Sequence, residues 1–319
     1  MSRIFVSGAN GFVGRHVCRD LVEAGHVVTA GVRRPGAAPD GTRESIVGDL
    51  GSLTDWTDGL ANQDYVIHLA ARVHVMSESS SDPLAAFTEA NTAGTIRLAQ
   101  QAILAGVQRF VFVSSIKAQG ESRSLAYSAA DDTHPTDDYG VSKRLAENGL
   151  RDLEAGFPLG VVVLRPPLIY GDGVGGNLLR LMNIIDRGVP LPLSSVKNER
   201  AMISVHNFVR ILEHAIDPHC GAGQAILVSD SETLSTAQVV RELAAGLGRS
   251  PRLLPFPPRM MVLAGRLFGR MDEIDRLIGD LKIVSNVSQL APRYAEKINA
   301  RDALRDTARA FATAKQRAR

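Results

Sequence analysis

Tyr139 and Lys143 stand four residues apart in a stretch of helical pattern, so their side chains share one helix face. A free tyrosine has a pKa near ~10, too high for easy proton exchange at neutral pH. A cation one helical turn away favours the phenolate and lowers that value. The pair is therefore suited to give a proton to, or take one from, an oxygen of a bound molecule. Upstream, the apolar run Arg109-Phe110-Val111-Phe112-Val113 ends in two hydroxyls, Ser114 and Ser115. If the run is a strand of an open parallel sheet, these hydroxyls lie at its carboxyl end, where such sheets bind ligands.

Those groups need a scaffold, and the chain opens with one. Ile4, Phe5 and Val6 have the pattern of a buried parallel strand. Gly8, Gly11 and Gly14 follow, and then Val17, Cys18, Leu21 and Val22 recur at helical spacing. Strand, glycine turn and helix in that order are the context of a dinucleotide-binding turn, here spaced G-x-x-G-x-x-G. Gly8 is expected to make the tight turn, Gly11 to let backbone N–H groups approach a pyrophosphate, and Gly14 to let the helix pack closely on the strand. The helix start supplies partial positive charge and free N–H donors, which makes Gly8, Asn10, Gly11, Phe12, Val13 and Gly14 the expected pyrophosphate cradle.

A second strand over Val27–Val32 runs into Arg33-Arg34. The residue that reads the adenosine ribose lies about 20 residues past the glycines, and an acid there would favour NAD. This chain has Val32 and then two arginines, which form paired hydrogen bonds with a phosphate. NADP(H) is therefore favoured and NAD(H) is the alternative; the competing reading of Arg33 and Arg34 is a pair of solvated loop charges. A third strand over Ser45–Leu50 brings Asp49 and Leu50 to the same edge. Asp49 accepts a bond from the adenine amino group or caps the next short helix. The fourth strand leaves through Leu69, Ala70 and Ala71, small enough for a cofactor to lie against the strand end, and His68 reads as a satisfied structural histidine.

Beyond a serine-rich loop from Val73 to Pro83, a long helix is expected from about Leu84 to Ala105, carrying Asn91 and Gly94. Another strand over Leu159–Leu164 ends at Arg165-Pro166. After Gly171 the alternation loosens: a helix over Leu178–Arg187, a strand over Arg200–Val205, a helix over Phe208–Ile216 and a strand over Ala225–Val228. A proline-rich, then helical, end follows, with Met260–Phe268 as one helix and a basic tail that frays after Thr313. The fold expected is α/β, a Rossmann-type doubly wound parallel sheet with a smaller, mixed substrate domain. Residues 1–170 form the dinucleotide-binding domain, to which 204–229 return, and 171–203 with 230–319 form the substrate domain.

The chain has 319 residues, 45% of them hydrophobic and 22% charged, with a net charge of +2, an ordinary globular balance without a nucleic-acid footprint. Cys18 and Cys220 give neither a disulfide framework nor a zinc pattern, which fits a reducing cytoplasm and no metal. A strand almost at the N-terminus leaves no room for a signal peptide, and no apolar run reaches spanning length.

Gly8-Ala9-Asn10-Gly11-Phe12-Val13-Gly14, His68-Leu69-Ala70-Ala71, Ser114-Ser115, Tyr139-x-x-x-Lys143 and Arg165-Pro166 occur in one order. This set resembles the extended short-chain dehydrogenase/reductases, the nucleotide-sugar epimerase/dehydratase family. The resemblance implies that Tyr139 exchanges the proton of a substrate oxygen while hydride moves at the adjacent carbon. It implies that Ser115 holds that oxygen, that Lys143 also bonds the nicotinamide ribose, and that Pro166 lies against the cofactor. Similar dehydratases carry an Asp-Glu pair after the serines; this chain has Ile116-Lys117, which disfavours sugar 4,6-dehydration. Gln119 stands where a tyrosine is usual. Asn177 and Arg200 match positions that hold sugar or diphosphate in relatives, and Arg276 is a further candidate for that anion or a surface cation.

Within that family the chain resembles UDP-sugar 4-epimerases and, in Val113-Ser114-Ser115-Ile116-Lys117 and Gly176-Asn177-Leu178-Leu179-Arg180, reductases of UDP-4-keto-6-deoxy-N-acetylglucosamine. The activity expected is hydride transfer from NADPH to the C4 keto group of a UDP-4-keto-6-deoxyhexosamine, for cell-surface polysaccharide sugars. A UDP-hexose or UDP-N-acetylhexosamine 4-epimerase with retained NAD is the alternative, and a non-catalytic dinucleotide sensor a distant one. The resemblance also implies a cytoplasmic homodimer.

Overall fold

The computed structural model describes residues 1–73, 82–120, 125–217 and 225–317. Cys220 and most of the serine-rich loop after Val73 lie outside them. Strands and helices alternate through the first half: β1 (Arg3–Ser7), α1 (Phe12–Glu23), β2 (Val27–Val32), β3 (Arg43–Ile46), α2 (Thr57–Leu60), β4 (Tyr65–His68), α3 (Pro83–Phe87), α4 (Gly94–Leu104), β5 (Arg109–Val113), α5 (Asp138–Gly156) and β6 (Gly160–Arg165). Then come β7 (Leu168–Tyr170), α6 (Gly176–Asp186), β8 (Met202–Ser204), α7 (Val205–Ala215), β9 (Ala225–Leu227), α8 (Thr236–Gly246), α9 (Pro258–Leu267), α10 (Met271–Ile278), α11 (Val287–Leu290) and α12 (Ala300–Arg317).

The main sheet is parallel in the order β3-β2-β1-β4-β5-β6-β9. The chain winds outward from β1 in one direction and, from β4, in the other. The crevice between β1 and β4 is thus the topological switch point, where open α/β sheets bind ligands. The registers Ser7↔His68 and Ser7↔Gly31 bring three strand ends to that crevice. β9 joins this sheet in parallel beside β6. β7 and β8 pair separately.

Period-two alternation explains why the sheet is covered on both faces. Ile4 and Val6 join α1 residues Val17, Cys18 and Leu21 and α7 residues Phe208, Ile211 and Leu212 in one core. Phe5, Val66, Phe110 and Phe112 point the other way, onto Leu98 and Ala102 of α4 and Ala146 and Leu150 of α5. A fully buried side chain of this kind contributes roughly 1.5–3 kcal/mol. Cys18 belongs to this core, and burial pushes its thiol up to about 12. A third core gathers Leu178 and Met182 of α6, Val240 and Leu243 of α8 and Leu304 of α12.

Three local expectations change. The helix over Leu84–Ala105 is interrupted by a π-helical turn, Thr88–Ala93. The third strand ends at Ile46, so Asp49 and Leu50 lie in the loop beyond it. The basic tail does not fray at Thr313: α12 continues to Arg317, and Lys315 Nζ donates to Asp186 at 2.7 Å.

Candidate active site

The glycine turn is built as its spacing implies. Gly8 has φ +69°, a left-handed conformation that favours glycine, and a Cβ there would come within 2.8 Å of the Ala70 nitrogen. A Cβ on Gly14 would fall 2.3 Å from the Gly8 carbonyl oxygen, so α1 can approach β1 only with glycine at this position. Gly11 is the N-cap of α1 and no side chain caps the helix. The first N–H groups of a helix lack intrahelical partners and carry partial positive charge, so the start at Phe12 and Val13 suits a pyrophosphate.

A buried polar chain fixes the β4 side of the crevice. Ser7 Oγ lies 2.6 Å from His68 Nδ1 and accepts from the Leu69 and Ala70 N–H groups, each at 3.2 Å. His68 Nε2 lies 2.9 Å from Thr95 Oγ1, which itself donates to the Asn91 carbonyl. Those bonds require a neutral ring that donates through Nε2 and accepts at Nδ1. Burial, with the Lys143 charge second, pushes the His68 pKa down to about 3, in keeping with that neutral form. His68 is a structural post that aims the Leu69-Ala70-Ala71 exit.

Past the end of β2, Arg33 and Arg34 are exposed. The loop after them is held by Glu44, which accepts from the N–H groups of Gly36, Ala37 and Ala38 at 3.1–3.3 Å. Arg33 Nη1 lies 3.7 Å from Asp49 Oδ1, with the two side chains 68% and 92% exposed, a pair worth about 0–1 kcal/mol. Asp49 does not cap α2, whose N-cap is Trp56 without a side-chain bond. Leu50 packs over Gly94.

Across the crevice, α5 begins where Asp137 Oδ1 accepts the Gly140 N–H at 2.7 Å. This N-cap puts Tyr139 in the first turn and Lys143 in the next. Ser115 stands close enough to the Tyr139 phenol to favour its ionised form, and the Tyr139 ring meets Phe87 edge-on at 6.2 Å. Lys143 Nζ donates to the Val113 carbonyl at 2.8 Å and sits 4.5 Å from the centroid of the Phe112 ring. Ser115, Tyr139 and Lys143 are thus brought together at the ends of β5 and α5. The electrostatics differ from the expectation that Lys143 lowers the Tyr139 pKa. Burial, and then the Asp137 charge, push Tyr139 up to about 12, with the Ser115 hydroxyl opposing. Burial pulls Lys143 down to about 7, against the Glu147 charge, so the ammonium that should favour the phenolate is itself disfavoured.

Beneath this trio lies a polar floor. Ser114 Oγ donates to Glu147 Oε1 at 2.6 Å, so the first of the two strand-end hydroxyls is diverted inward. Arg165 Nε donates to the same oxygen at 2.9 Å, a second Arg165 nitrogen pairs with Glu147 Oε2, and Arg144 Nη1 lies 3.1 Å from that oxygen. Burial alone would raise the Glu147 carboxyl, but the Arg165 pairing and the Ser114 and Arg144 bonds hold it below its ordinary value. Gln119 accepts from Arg165 and donates to the Asp131 carbonyl at 2.8 Å, so the residue in place of the usual tyrosine belongs to this buried network.

The π-helical turn adds a clamp. Asn91 accepts from the Arg72 N–H at 2.7 Å and donates to Ser142 Oγ at 3.0 Å, joining the β4 exit to α5. The Pro166 carbonyl accepts the Ile116 N–H at 2.9 Å, which ties the end of β6 to the turn after Ser115. Asn91, Asp137 and Glu147 carry roles that motif reading did not assign. Glu147 had a signal, since it follows Lys143 by four on the same helix face; Asp137 had one as an N-cap residue before the helix.

The outer candidates lie beyond Gly171. Asn177 is exposed in the first turn of α6. Arg200 is half-buried and its Nη1 donates to the Gly279 carbonyl at 3.0 Å, just past the end of α10, which carries the half-buried Arg276.

The NAD dependent epimerase/dehydratase family profile matches residues 4–227. A UDP-glucose 4-epimerase of Vibrio cholerae is 38% identical over 318 residues, covering 98% of this chain and 97% of its own. The N-acetyl-alpha-D-glucosaminyl-diphospho-ditrans,octacis-undecaprenol 4-epimerase of Escherichia coli O157:H7 is 24% identical, covering 89% and 83%. Among solved structures, MoeE5 in complex with UDP-glucose and NAD superposes with a TM-score of 0.78 at 25% identity, covering 98% of this chain and 99% of that one.

Proposed function

The chain belongs to the NAD dependent epimerase/dehydratase family, and from that premise we propose that it is a UDP-sugar 4-epimerase that retains its dinucleotide. The observation that carries this reading is the convergence of Ser115, just past β5, with Tyr139 and Lys143 in the first turns of α5, where Lys143 bonds the Val113 carbonyl at the β5 end. The Vibrio cholerae relative and the UDP-glucose in the MoeE5 complex support the choice of substrate class. The lysine at position 117, in place of an acid, weighs against dehydration.

The glycine turn fits a dinucleotide, since its cradle has no side chain where a pyrophosphate must come close. Gly8, Asn10, Gly11, Phe12, Val13 and Gly14 hold the pyrophosphate, Leu69, Ala70, Ala71 and Pro166 line the inner half, and Asp49 and Leu50 flank the adenine. When bound, a nicotinamide dinucleotide supplies a reversible hydride acceptor. Tyr139 takes the proton of the sugar 4-hydroxyl in one half of the cycle and returns it in the other. Ser115 holds that oxygen, and Lys143 binds the nicotinamide ribose. Residues 171–203 and 230–319 form the substrate domain, where Asn177, Arg200 and Arg276 hold the nucleotide-sugar; arginine suits a diphosphate. The protein works as a cytoplasmic homodimer.

One observation favours a second reading. Exposed Arg33 and Arg34 stand where an acid would read the ribose of NAD, and they suit the 2′-phosphate of NADP. That cofactor fits a 4-ketoreductase acting on a UDP-4-keto-6-deoxyhexosamine. The deciding experiment identifies the nucleotide released on denaturing the purified protein and assays UDP-glucose and UDP-galactose interconversion. Retained NAD with interconversion supports the epimerase. Empty protein that prefers NADPH and leaves both sugars unchanged refutes it in favour of the reductase.

A further inference from the structure

Lys117 and Asp137 have no part in the chemistry just described, yet they close a ring around the Ser115–Tyr139 contact. The Lys117 backbone N–H donates to Ser115 Oγ at 3.2 Å. The Lys117 ammonium pairs with Asp137 Oδ2, and Asp137 Oδ1 accepts the Gly140 N–H at 2.7 Å. Both charged side chains are about four-fifths buried, with 21% and 23% exposure, so solvent screens the pair less than a surface pair. Gly140 is pressed on the same turn: a Cβ there would lie 2.5 Å from the Lys117 carbonyl oxygen. Tyr139 lies in the chain between Asp137 and Gly140, close enough to the Asp137 carboxylate for that charge to oppose phenolate formation.

The other groups around Tyr139 are few among the described residues. Asp138 lies beside it on α5 and Lys143 one turn on, over Phe112. From α3 comes Phe87, with the Arg72 guanidinium 5.6 Å from its ring centroid. Ser115 and Lys117 come from the turn after β5.

We propose that Lys117 and Asp137 are a positioning pair: Asp137 caps the turn that carries Tyr139, and Lys117 cancels the carboxylate charge beside the phenol while locking that turn to Ser115. The pair sets both the register and the acidity of Tyr139. It rests on the reading of Tyr139 as the proton-transfer group, so its test follows the tyrosine itself as well as turnover.

The test titrates phenolate absorbance in the dinucleotide-loaded protein, with Tyr139→Phe subtracted to isolate the Tyr139 signal. Asp137→Asn, whose amide oxygen still accepts the Gly140 N–H, should move that titration to acid by about one pH unit. Lys117→Met should move it to alkaline by a similar amount, Lys117→Arg should restore it, and Lys117→Met with Asp137→Asn should return near the wild-type position. The alkaline-rising limb of UDP-sugar turnover should shift in the same directions. A Tyr139 titration unmoved by Asp137→Asn overturns the proposal, and this holds even if Lys117→Met fails to fold. Shifts as expected in a protein that turns over no UDP-sugar leave the pair standing and remove the epimerase reading instead.

Discussion

Replacing Lys143 with methionine should make the nucleotide-free protein more stable at neutral pH while removing its activity. Lys143 is fully enclosed, and burial lowers its pKa from 10.5 to about 7. Between those two values the unfolded chain holds a proton that the folded chain does not. Unfolding therefore takes up a proton, and the wild-type protein gains stability as the pH rises from about 7 to 10.5. Conversely, the stability present above the unfolded value is lost as pH falls toward the folded one. Each pKa unit is worth 1.36 kcal/mol, so the buried amine costs about 4 kcal/mol at pH 7. Methionine removes that cost but leaves the Val113 carbonyl without the donor it has at 2.8 Å, a loss of about 1 kcal/mol. Its thioether keeps a contact with the Phe112 ring. The net expectation is a gain on the order of 3 kcal/mol at pH 7, shrinking toward zero by pH 10. Urea unfolding of both proteins at several pH values, with the nucleotide removed, measures the difference. A variant less stable than wild type at pH 7, or a gap that does not narrow with rising pH, refutes the reasoning.

Three further perturbations test other parts of the site. Gly14→Ala pushes a methyl to within 2.3 Å of one backbone oxygen and 2.6 Å of another, and should cost roughly 3 kcal/mol and most of the retained nucleotide; an unchanged melting midpoint and nucleotide content would contradict this. Glu147→Gln leaves the buried Arg165 charge without its carboxylate and should destabilise by about 3–5 kcal/mol in urea, so a loss below about 1 kcal/mol would mean the floor is not an ion pair of consequence. Tyr139→Phe should lower turnover by about 10²–10⁴-fold with little change in unfolding midpoint, and a variant near wild-type rate would remove Tyr139 from the reaction.

The parts of the site legible in the sequence are those set by local rules. Gly8 and Gly14 could be assigned because a tight turn and a close helix–strand approach require the absence of a Cβ at fixed spacing. The strand ends at Ser7, His68 and Val113 followed from short apolar runs, and the α5 face from residues four apart. What stayed hidden depends on contacts between distant segments. Gln119 and Arg165 are 46 residues apart, and only the fold shows that they meet. The π-helical turn at Thr88–Ala93 follows from tertiary bonds of Asn91 and Thr92 to Ser142, which no periodicity reveals. The tail beyond Thr313 looked free because its partner, Asp186, lies in another helix.

Burial decides the character of the site more than residue identity does. Tyr139 and Lys143 are the types and spacing for proton exchange, but the protein alone raises the first to about 12 and lowers the second to about 7. Both shifts favour the uncharged forms, because burial withdraws the water that would solvate a phenolate or an ammonium. The fixed posts around them are neutral or fully compensated: His68 between Ser7 and Thr95, Asn91 between Arg72 and Ser142, Glu147 against Arg165. Near the phenol, the charges left to adjust its acidity are those of Asp137 with its partner Lys117, Asp138 beside it on α5, Lys143 when protonated, and whatever charge a bound ligand brings. A positive ligand charge beside the phenol lowers its pKa. With its phenol raised to about 12, Tyr139 is protonated at neutral pH in the protein alone.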